Sequence, residues 1–309
     1  MFQGMEYVYA VYKEKSFSKA AKKLFISQPS LSANVKREEK NIGYPIFDRS
    51  TKPLSLTEPG KKYIETVESI VSAQCAFKNY INDLGELKTG SLLIGGSSLY
   101  SSWILPSLMR NFASKYPHIK LELLEDTTTN LCKILQAGGI NLLLDNCELD
   151  PFNFNKQLYR KEYLVLAVPK HFKINNGLEQ FQLSASDIRS HSFLSDSVLP
   201  VDLSQFKNEP FLLLKQGNDT RIRAEELCRK HAFVPNIIFE SDQQMTSYNI
   251  TCSGMGIAFI SDSLISNMPE TSDVIYYKLS GKSSYRNVYF YWKKNTYFSK
   301  AMQVFLDEL

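Results

Sequence analysis

The chain has 309 residues, 43% of them hydrophobic and 22% charged, which suits two or three ordinary globular domains with sizeable cores. No apolar run reaches the ~18 residues of a membrane helix, and no basic segment followed by an apolar one opens the chain, so a soluble, cytoplasmic protein is expected. The net charge of +4 is uneven: residues 1–62 hold twelve Lys or Arg against six Asp or Glu, a surplus of +6, leaving −2 for the remainder. A basic head on a near-neutral body suits contact with a polyanion, although a solubilising surface would carry the same charge. The cysteines, Cys75, Cys132, Cys147, Cys228 and Cys252, are odd in number and form no Cys-x-x-Cys pair. That spacing argues against a disulfide scaffold or a zinc site and reads as free thiols.

Met5, Val8, Tyr9, Val11 and Tyr12 mark one face of a first helix. Ser16 or Ser18 caps a second over residues 19–25, with Ala20, Ala21 and Leu24 on one side and Lys19, Lys22 and Lys23 outside. Ser27 caps a third, where Pro29 is tolerated because the first turn has unpartnered N–H groups. This helix runs to about Asn41, ends at Gly43, and points Leu31 and Val35 inward. Residues 46–49 and 53–56 read as the two strands of a small wing.

A long helix follows Thr57, with Ile64, Val67, Ile70, Phe77, Ile81 and Leu84 recurring at helical steps. About 30 residues of helix extend ~45 Å, more than a small wing domain covers, so the stripe is expected to dimerise against a partner helix. Packing on its own C-terminal domain is the alternative. After a linker at 87–91, strands at 92–94, 120–124, 142–144, 163–168, 211–214, 237–240, 256–260, 274–279 and 288–291 alternate with helices at 103–116, 131–136, 221–231, 243–251 and 299–309. This order predicts parallel α/β sheets and material for two Rossmann-like lobes. The expected division is a winged helix-turn-helix over 1–58, a linker helix over 59–90 and a two-lobed domain over 91–309. Lobe 1 is expected at about 91–162 with 265–309, and lobe 2 at about 163–264.

A helix-turn-helix sets the first residues of its second helix against base edges in the major groove. Here those are Gln28, Pro29 and Ser30, with Ala33 and Asn34 one turn on. Gln can bond an adenine in two places, Ser several bases, and Ala can touch a thymine methyl. Lys19, Lys22, Lys36, Arg37, Arg49 and Lys52 are candidates for phosphate, with Ser18, Ser27 and Ser32 on the same surface.

The run Ser16-Phe17-Ser18-Lys19-Ala20-Ala21 followed by Ile26-Ser27-Gln28-Pro29-Ser30-Leu31-Ser32 resembles the signature of LysR-type transcriptional regulators. Pro45-Ile46-Phe47-Asp48-Arg49 and Leu56-Thr57-Glu58-Pro59-Gly60 resemble the family's wing and linker-helix start, and further likenesses reach Gly254-Met255-Gly256-Ile257-Ala258. The resemblance implies double-stranded promoter DNA as one partner and a homodimer or homotetramer as the assembly. It also implies a small-molecule effector held between lobes that resemble a periplasmic solute-binding protein, with no cofactor and no membrane partner. Departures from the family pattern are Ala33, where a basic residue is common, and Glu38, expected to face solvent or pair with a lysine. Pro59 replaces a common alanine, and the segment 173–204 is long and polar.

In open α/β sheets, ligands bind beyond the C-terminal strand ends, against helix N-termini. The turns there hold Ser97, Ser98, Leu99 and Tyr100, then Thr127 and Thr128, then Asp219, Thr220 and Arg221. Each Ser or Thr taken alone reads as a helix cap; together, with the family's architecture, they read as a pocket. Their hydroxyls and Arg221 favour a small polar, anionic effector, while Asp126 and Asp219 offer partners for an ammonium group and keep an amino acid open. A solute-binding module without a DNA role is the rival class, disfavoured by residues 1–60. An enzyme is the third: His118, His171, His191 and His231 are scattered, no metal spacing occurs, and Gly254-x-Gly256 lacks the rest of a dinucleotide fingerprint.

Overall fold

A computed structural model describes residues 2–51, 53–83 and 90–309. Lys52, Leu84, the side chain of Cys75 and the start of the expected linker at 87–89 lie outside the described residues. The head begins with α1 (Met5–Glu14), α2 (Phe17–Lys23) and α3 (Gln28–Ile42). The Ser16 hydroxyl accepts from the Lys19 N–H and the Ser27 hydroxyl from the Ser30 N–H, so two orphan donors are satisfied where each helix starts. Gly43, in the left-handed region, closes α3. The wing pairs β1 (Phe47–Asp48) with β2 (Ser55–Leu56).

Next comes α4 (Glu58–Asp83), capped by Thr57, whose hydroxyl accepts from the Gly60 N–H and donates to the Pro45 carbonyl. Any side chain at position 60 would strike the Ile46 carbonyl, so glycine alone lets the helix start lie this close to the wing. The first half of α4 does not await a partner. Tyr63, Ile64 and Val67 are buried in the head's own core with Val8, Val11, Leu31 and Val35. This corrects the expectation that the whole stripe needs a second chain. Ile70 is half-buried, while Phe77 and Ile81 remain 66% and 48% exposed. The helix also meets its own C-terminal domain: the Tyr80 ring packs edge-on to Tyr297, and Gly138 leaves room for Ser72.

In the C-terminal domain, β3 (Gly90–Gly96), β4 (Ile119–Glu125) and β5 (Leu142–Asp145) are parallel, connected through α5 (Leu105–Lys115) and α6 (Thr128–Gln136). The strand β6 (Phe154–Pro169) is much longer than the apolar core at 163–168 suggested. Its polar first half pairs with β12 (Tyr285–Lys293), and its apolar second half enters another sheet. That second sheet contains β7 (Gln182–Leu183), β8 (Pro210–Leu214), β9 (Asn236–Ser241), β10 (Ile257–Ser261) and β11 (Val274–Lys278). Around it lie α7 (Ala185–Arg189), α8 (Asp219–Lys230), α9 (Gln244–Cys252) and α10 (Asp262–Asn267), while α11 (Lys300–Asp307) packs into the first core. Since β11 pairs with the second half of β6, residues 274–278 join the second sheet, not lobe 1 where the expected division put 265–309. The polar segment 173–204 folds over the same sheet. Phe193 and Leu203 are buried there, and Asn175 accepts a bond from the Tyr277 hydroxyl. No described helix is long and apolar enough to cross a membrane.

Candidate functional sites: a helix-turn-helix surface and an interlobe cleft

On the head, Ser18, Lys19, Ser27, Gln28, Pro29, Ser30, Ala33, Lys36 and Arg37 are exposed, and Ser32 and Asn34 are half-buried. The burial of Leu31 and Val35 holds this face of α3 outward. Arg37 is steered by its neighbour, its guanidinium donating to the Asn34 amide oxygen at 2.5 Å. Arg49 is already engaged: it pairs with Glu39 at 3.1 Å and lies over the Phe17 ring. Glu38 corrects a second expectation. It is buried, 1% exposed, and accepts from the Phe2 and Gly4 N–H groups and the Tyr63 hydroxyl. Burial alone pushes its carboxyl up, but the bonds from Tyr63, Phe2, Gly4 and Asn41 outweigh that and hold it below the usual glutamate range. Glu38 therefore ties the recognition helix to the chain start and to the first turns of α4.

The second site is a cavity of about 920 Å³ between the lobes. Four helix starts border it: Ser97–Leu99, where a helical run begins that passes through a π-helical turn at Tyr100–Ile104 into α5, and Thr127–Thr129 from one lobe, and Asn218–Thr220 and Gln243–Met245 from the other. Such starts present N–H groups and the positive end of the helix dipole. Ser97, Ser98, Leu99, Tyr100, Thr127, Thr128, Asp219 and Thr220 all line the cavity. Arg221 does not. It is 4% exposed and turned inward, donating to the Leu214 carbonyl, Glu225 and Glu240, so it offers no charge at the rim.

The cation that does reach the cavity is Arg286, on β12. Its guanidinium binds Glu162 at 2.6 Å, Asp219 at 2.8 Å and the Thr220 hydroxyl at 2.9 Å. Burial opposes its charge, yet the carboxylates of Glu162 and Asp219 more than compensate, so it stays protonated. The other lining cation, Lys215, pairs with Asp242 at 2.9 Å. Against these two stand the carboxyl groups of Glu125, Asp126, Asp145, Asp219 and Asp242. Asp126 is held below the usual aspartate range, by Asn130 first and then the Thr127 N–H, and so remains ionised. Asp145 is raised by burial, although Thr128 and the Cys147 N–H donate to it. On the same wall, the Asn146 side-chain N–H₂ is buried without a partner. Gln244 bridges α8 and β10, donating to Thr220 and accepting from the Ser261 N–H. Sequence reasoning missed Arg286, Asp145, Asn146 and Gln244, which reach the cavity from parts of the chain with no shared local pattern.

Two family models match. "Bacterial regulatory helix-turn-helix protein, lysR family" covers residues 2–61, and "LysR substrate binding domain" covers residues 85–309. The chain belongs to the LysR family: it is a DNA-binding transcription regulator with an effector-binding domain, not an enzyme. It is 28% identical over 306 residues to the Bacillus subtilis (strain 168) protein named uncharacterized HTH-type transcriptional regulator YcgK, covering 98% of this chain and 92% of that relative. In structure it is similar to a full-length single-substitution variant of OxyR from Pseudomonas aeruginosa, with a TM-score of 0.70 at 19% identity over 98% of this chain and 92% of the other. Full-length CbnR complexed with its target DNA gives a TM-score of 0.65 at 17% identity, over 100% and 98% of the two chains. These two likenesses establish the fold.

Proposed function

We propose that this regulator reads promoter DNA as a homo-oligomer in the cytoplasm and is switched by a small polar effector bound between its lobes. The N-terminal residues of α3 enter the major groove, Gln28 and Ser30 read base edges, and Lys19, Lys36 and Arg37 hold phosphates. The exposed Phe77 and Ile81 half of α4 supports pairing with a second chain, which sets two heads on a two-fold symmetric site. A homotetramer follows if the lobes pair as well. We assign residues 1–58 to the head, 59–90 to the dimerisation helix and the remainder to the effector domain.

The observation that carries the effector reading is the meeting of four helix starts, two from each lobe, around one cavity. They favour an anionic group, and the unpartnered Asn146 donor adds a bond for it. With Arg221 buried and the two lining cations already paired, the neighbouring carboxylates favour an ammonium group beside that anion. The effector is therefore anionic at one end and, of the polar classes, best matched by an amino-acid-like zwitterion. Closure of the lobes on it shifts the arrangement of the heads. Thermal-shift screening of amino acids, simple carboxylates and inorganic oxyanions tests this on wild type and on a Ser98→Ala, Asn146→Ala double variant. A zwitterion is expected to stabilise wild type and to lose most of that effect in the variant. Equal stabilisation of both sinks the cleft; hits confined to cations sink the anionic end.

A further inference from the structure

Cys132 and Cys147 are fifteen positions apart in sequence, with no spacing that marks them as a pair, yet their Sγ atoms lie 3.7 Å from each other. Cys132 sits on α6 and Cys147 just beyond β5. Both are partly exposed, and Cys147 lines the effector cavity, which gives a small reagent a route to the pair. A disulfide holds its sulfurs at ~2.05 Å, so closure asks for an approach of less than about 2 Å. The backbone of Cys147 is fixed on both sides: its N–H donates to Asp145 at 2.9 Å, and its carbonyl accepts from the Tyr291 hydroxyl at 2.6 Å. The approach therefore comes from rotation of the two thiols and from α6, whose cap Thr127 and first residue Thr128 wall the cleft.

We propose that Cys132 and Cys147 form a thiol-modification site that closes to an intramolecular disulfide by exchange with a small organic disulfide, and that closure draws α6 toward the 145–147 segment. The two Sγ atoms lie within thiol hydrogen-bond distance and either can donate. With Cys147 as the donor, the bond holds the Cys132 thiol low, while the same bond and burial push Cys147 up. Cys132 is thus the attacking thiolate. It forms a bond to one sulfur of the incoming disulfide and expels the first small thiolate. Cys147 then gives up its proton, attacks the Cys132 sulfur and expels the second. Two protein thiols are oxidised, one small disulfide is reduced to two thiols, and the two protons leave with them. The site itself stands apart from the effector reading; only its bearing on ligand binding rests on that reading.

The test uses the full chain, fully reduced and then equilibrated with oxidised glutathione against a range of reduced glutathione. Free thiols are alkylated, peptides are mapped by mass spectrometry, and hydrogen exchange is read over residues 128–136. The expected result is one Cys132–Cys147 link, with exchange in α6 slowed about tenfold and restored by dithiothreitol. Cys132→Ser and Cys132→Ala should show no link and no slowing; the wild-type reversal stands by itself should either variant fold poorly. Recovery of both residues as free thiols, or linkage of either to another cysteine, overturns the site. A Cys132–Cys147 link that leaves α6 exchange unchanged overturns the coupling to the cleft wall.

Discussion

Around the recognition helix, Lys19, Lys36 and Arg37 stand in solvent, while around the cleft Arg286 is buried against Glu162 and Asp219 and Lys215 is tied to Asp242. The contrast follows from what each region must hold. DNA brings its own dense negative charge, so exposed cations such as Lys19 and Lys36, in no ion pair among the described residues, gain affinity by releasing counterions, although Arg49 in the same head is paired with Glu39. A cleft between two lobes brings no such polyanion of its own, and an unpaired buried charge there would be costly. Its cations are therefore spent on joining elements: Arg286 on β12 bridges Glu162 on β6 and the start of α8. Position in the fold, rather than the number of lysines and arginines, decides which of them meet a ligand.

The sharpest break of this comparison is Arg286→Met. It leaves Glu162 buried with no counter-charge, and one Glu162 oxygen already lacks a partner. Removing one member of a buried pair costs about 3–5 kcal/mol, to be read by urea denaturation. Adding Glu162→Gln should recover a large part of the loss. If Arg286→Met costs no more than an exposed substitution such as Lys282→Met, the guanidinium is not holding the lobes.

The two halves of α4 offer a second contrast within one helix. Val67 is fully buried in the head's core, whereas Ile81 is 48% exposed. A buried unpaired carboxylate costs several kcal/mol, so Val67→Asp should unfold the head while leaving the effector domain intact by calorimetry. Ile81→Asp should keep both folded and lower the mass seen by light scattering. A stable, unchanged oligomer in Ile81→Asp would move the pairing surface off this helix.

Glu38 is the exception that tests the rule from the other side, a buried charge inside the basic head. Glu38→Ala strands the Phe2 and Gly4 N–H groups and the Tyr63 hydroxyl, a loss of about 1–3 kcal/mol. Its folded pKa lies below its unfolded value, so its contribution is complete above the unfolded glutamate pKa of ~4.3 and is lost as pH falls through the folded value. Head stability measured between pH 6 and pH 2 should decline in that lower range for wild type and decline less for Glu38→Gln. Parallel curves would show that the carboxylate's charge is not what the bonds stabilise.

Much of this was legible in the sequence because it is local. Ser27 caps its helix as the spacing indicated, and of the two candidates Ser16 and Ser18 it is Ser16 that caps the second helix. The strand–helix alternation is written in apolar runs. The first half of β6 escaped because Asn155, Lys156 and Gln157 hide a strand whose pairing with β12 is fixed more than a hundred residues away. Arg286, Asp145 and Gln244 escaped for the same reason. Arg221 misled through chemistry, since an arginine at a helix start invites an anion. Its spacing told otherwise: Arg221, Ala224 and Cys228 fall on one helical stripe, and all three are buried. Likewise Glu38 lies three residues after Val35 and seven after Leu31, on the inward face of α3.

The smallest expected effect separates two roles on the head itself. Gln28 and Lys36 are both exposed on α3, eight residues apart in number but different in chemistry. A glutamine bonded to an adenine edge distinguishes bases, so Gln28→Ala should cost about 1–3 kcal/mol on the preferred duplex and little on one altered at that position. A Lys36 that meets only phosphate makes a contact that every sequence supplies. Lys36→Ala should therefore weaken all duplexes alike and make the slope of log K against log salt shallower by about 0.9, the change for one neutralised phosphate. Fluorescence anisotropy across a base-substituted panel at several salt concentrations resolves both quantities. If the two variants shift affinity in the same pattern, the division of labour on α3 is wrong. A salt slope that Lys36→Ala leaves untouched would place its ammonium away from the backbone, even with the helix in the groove.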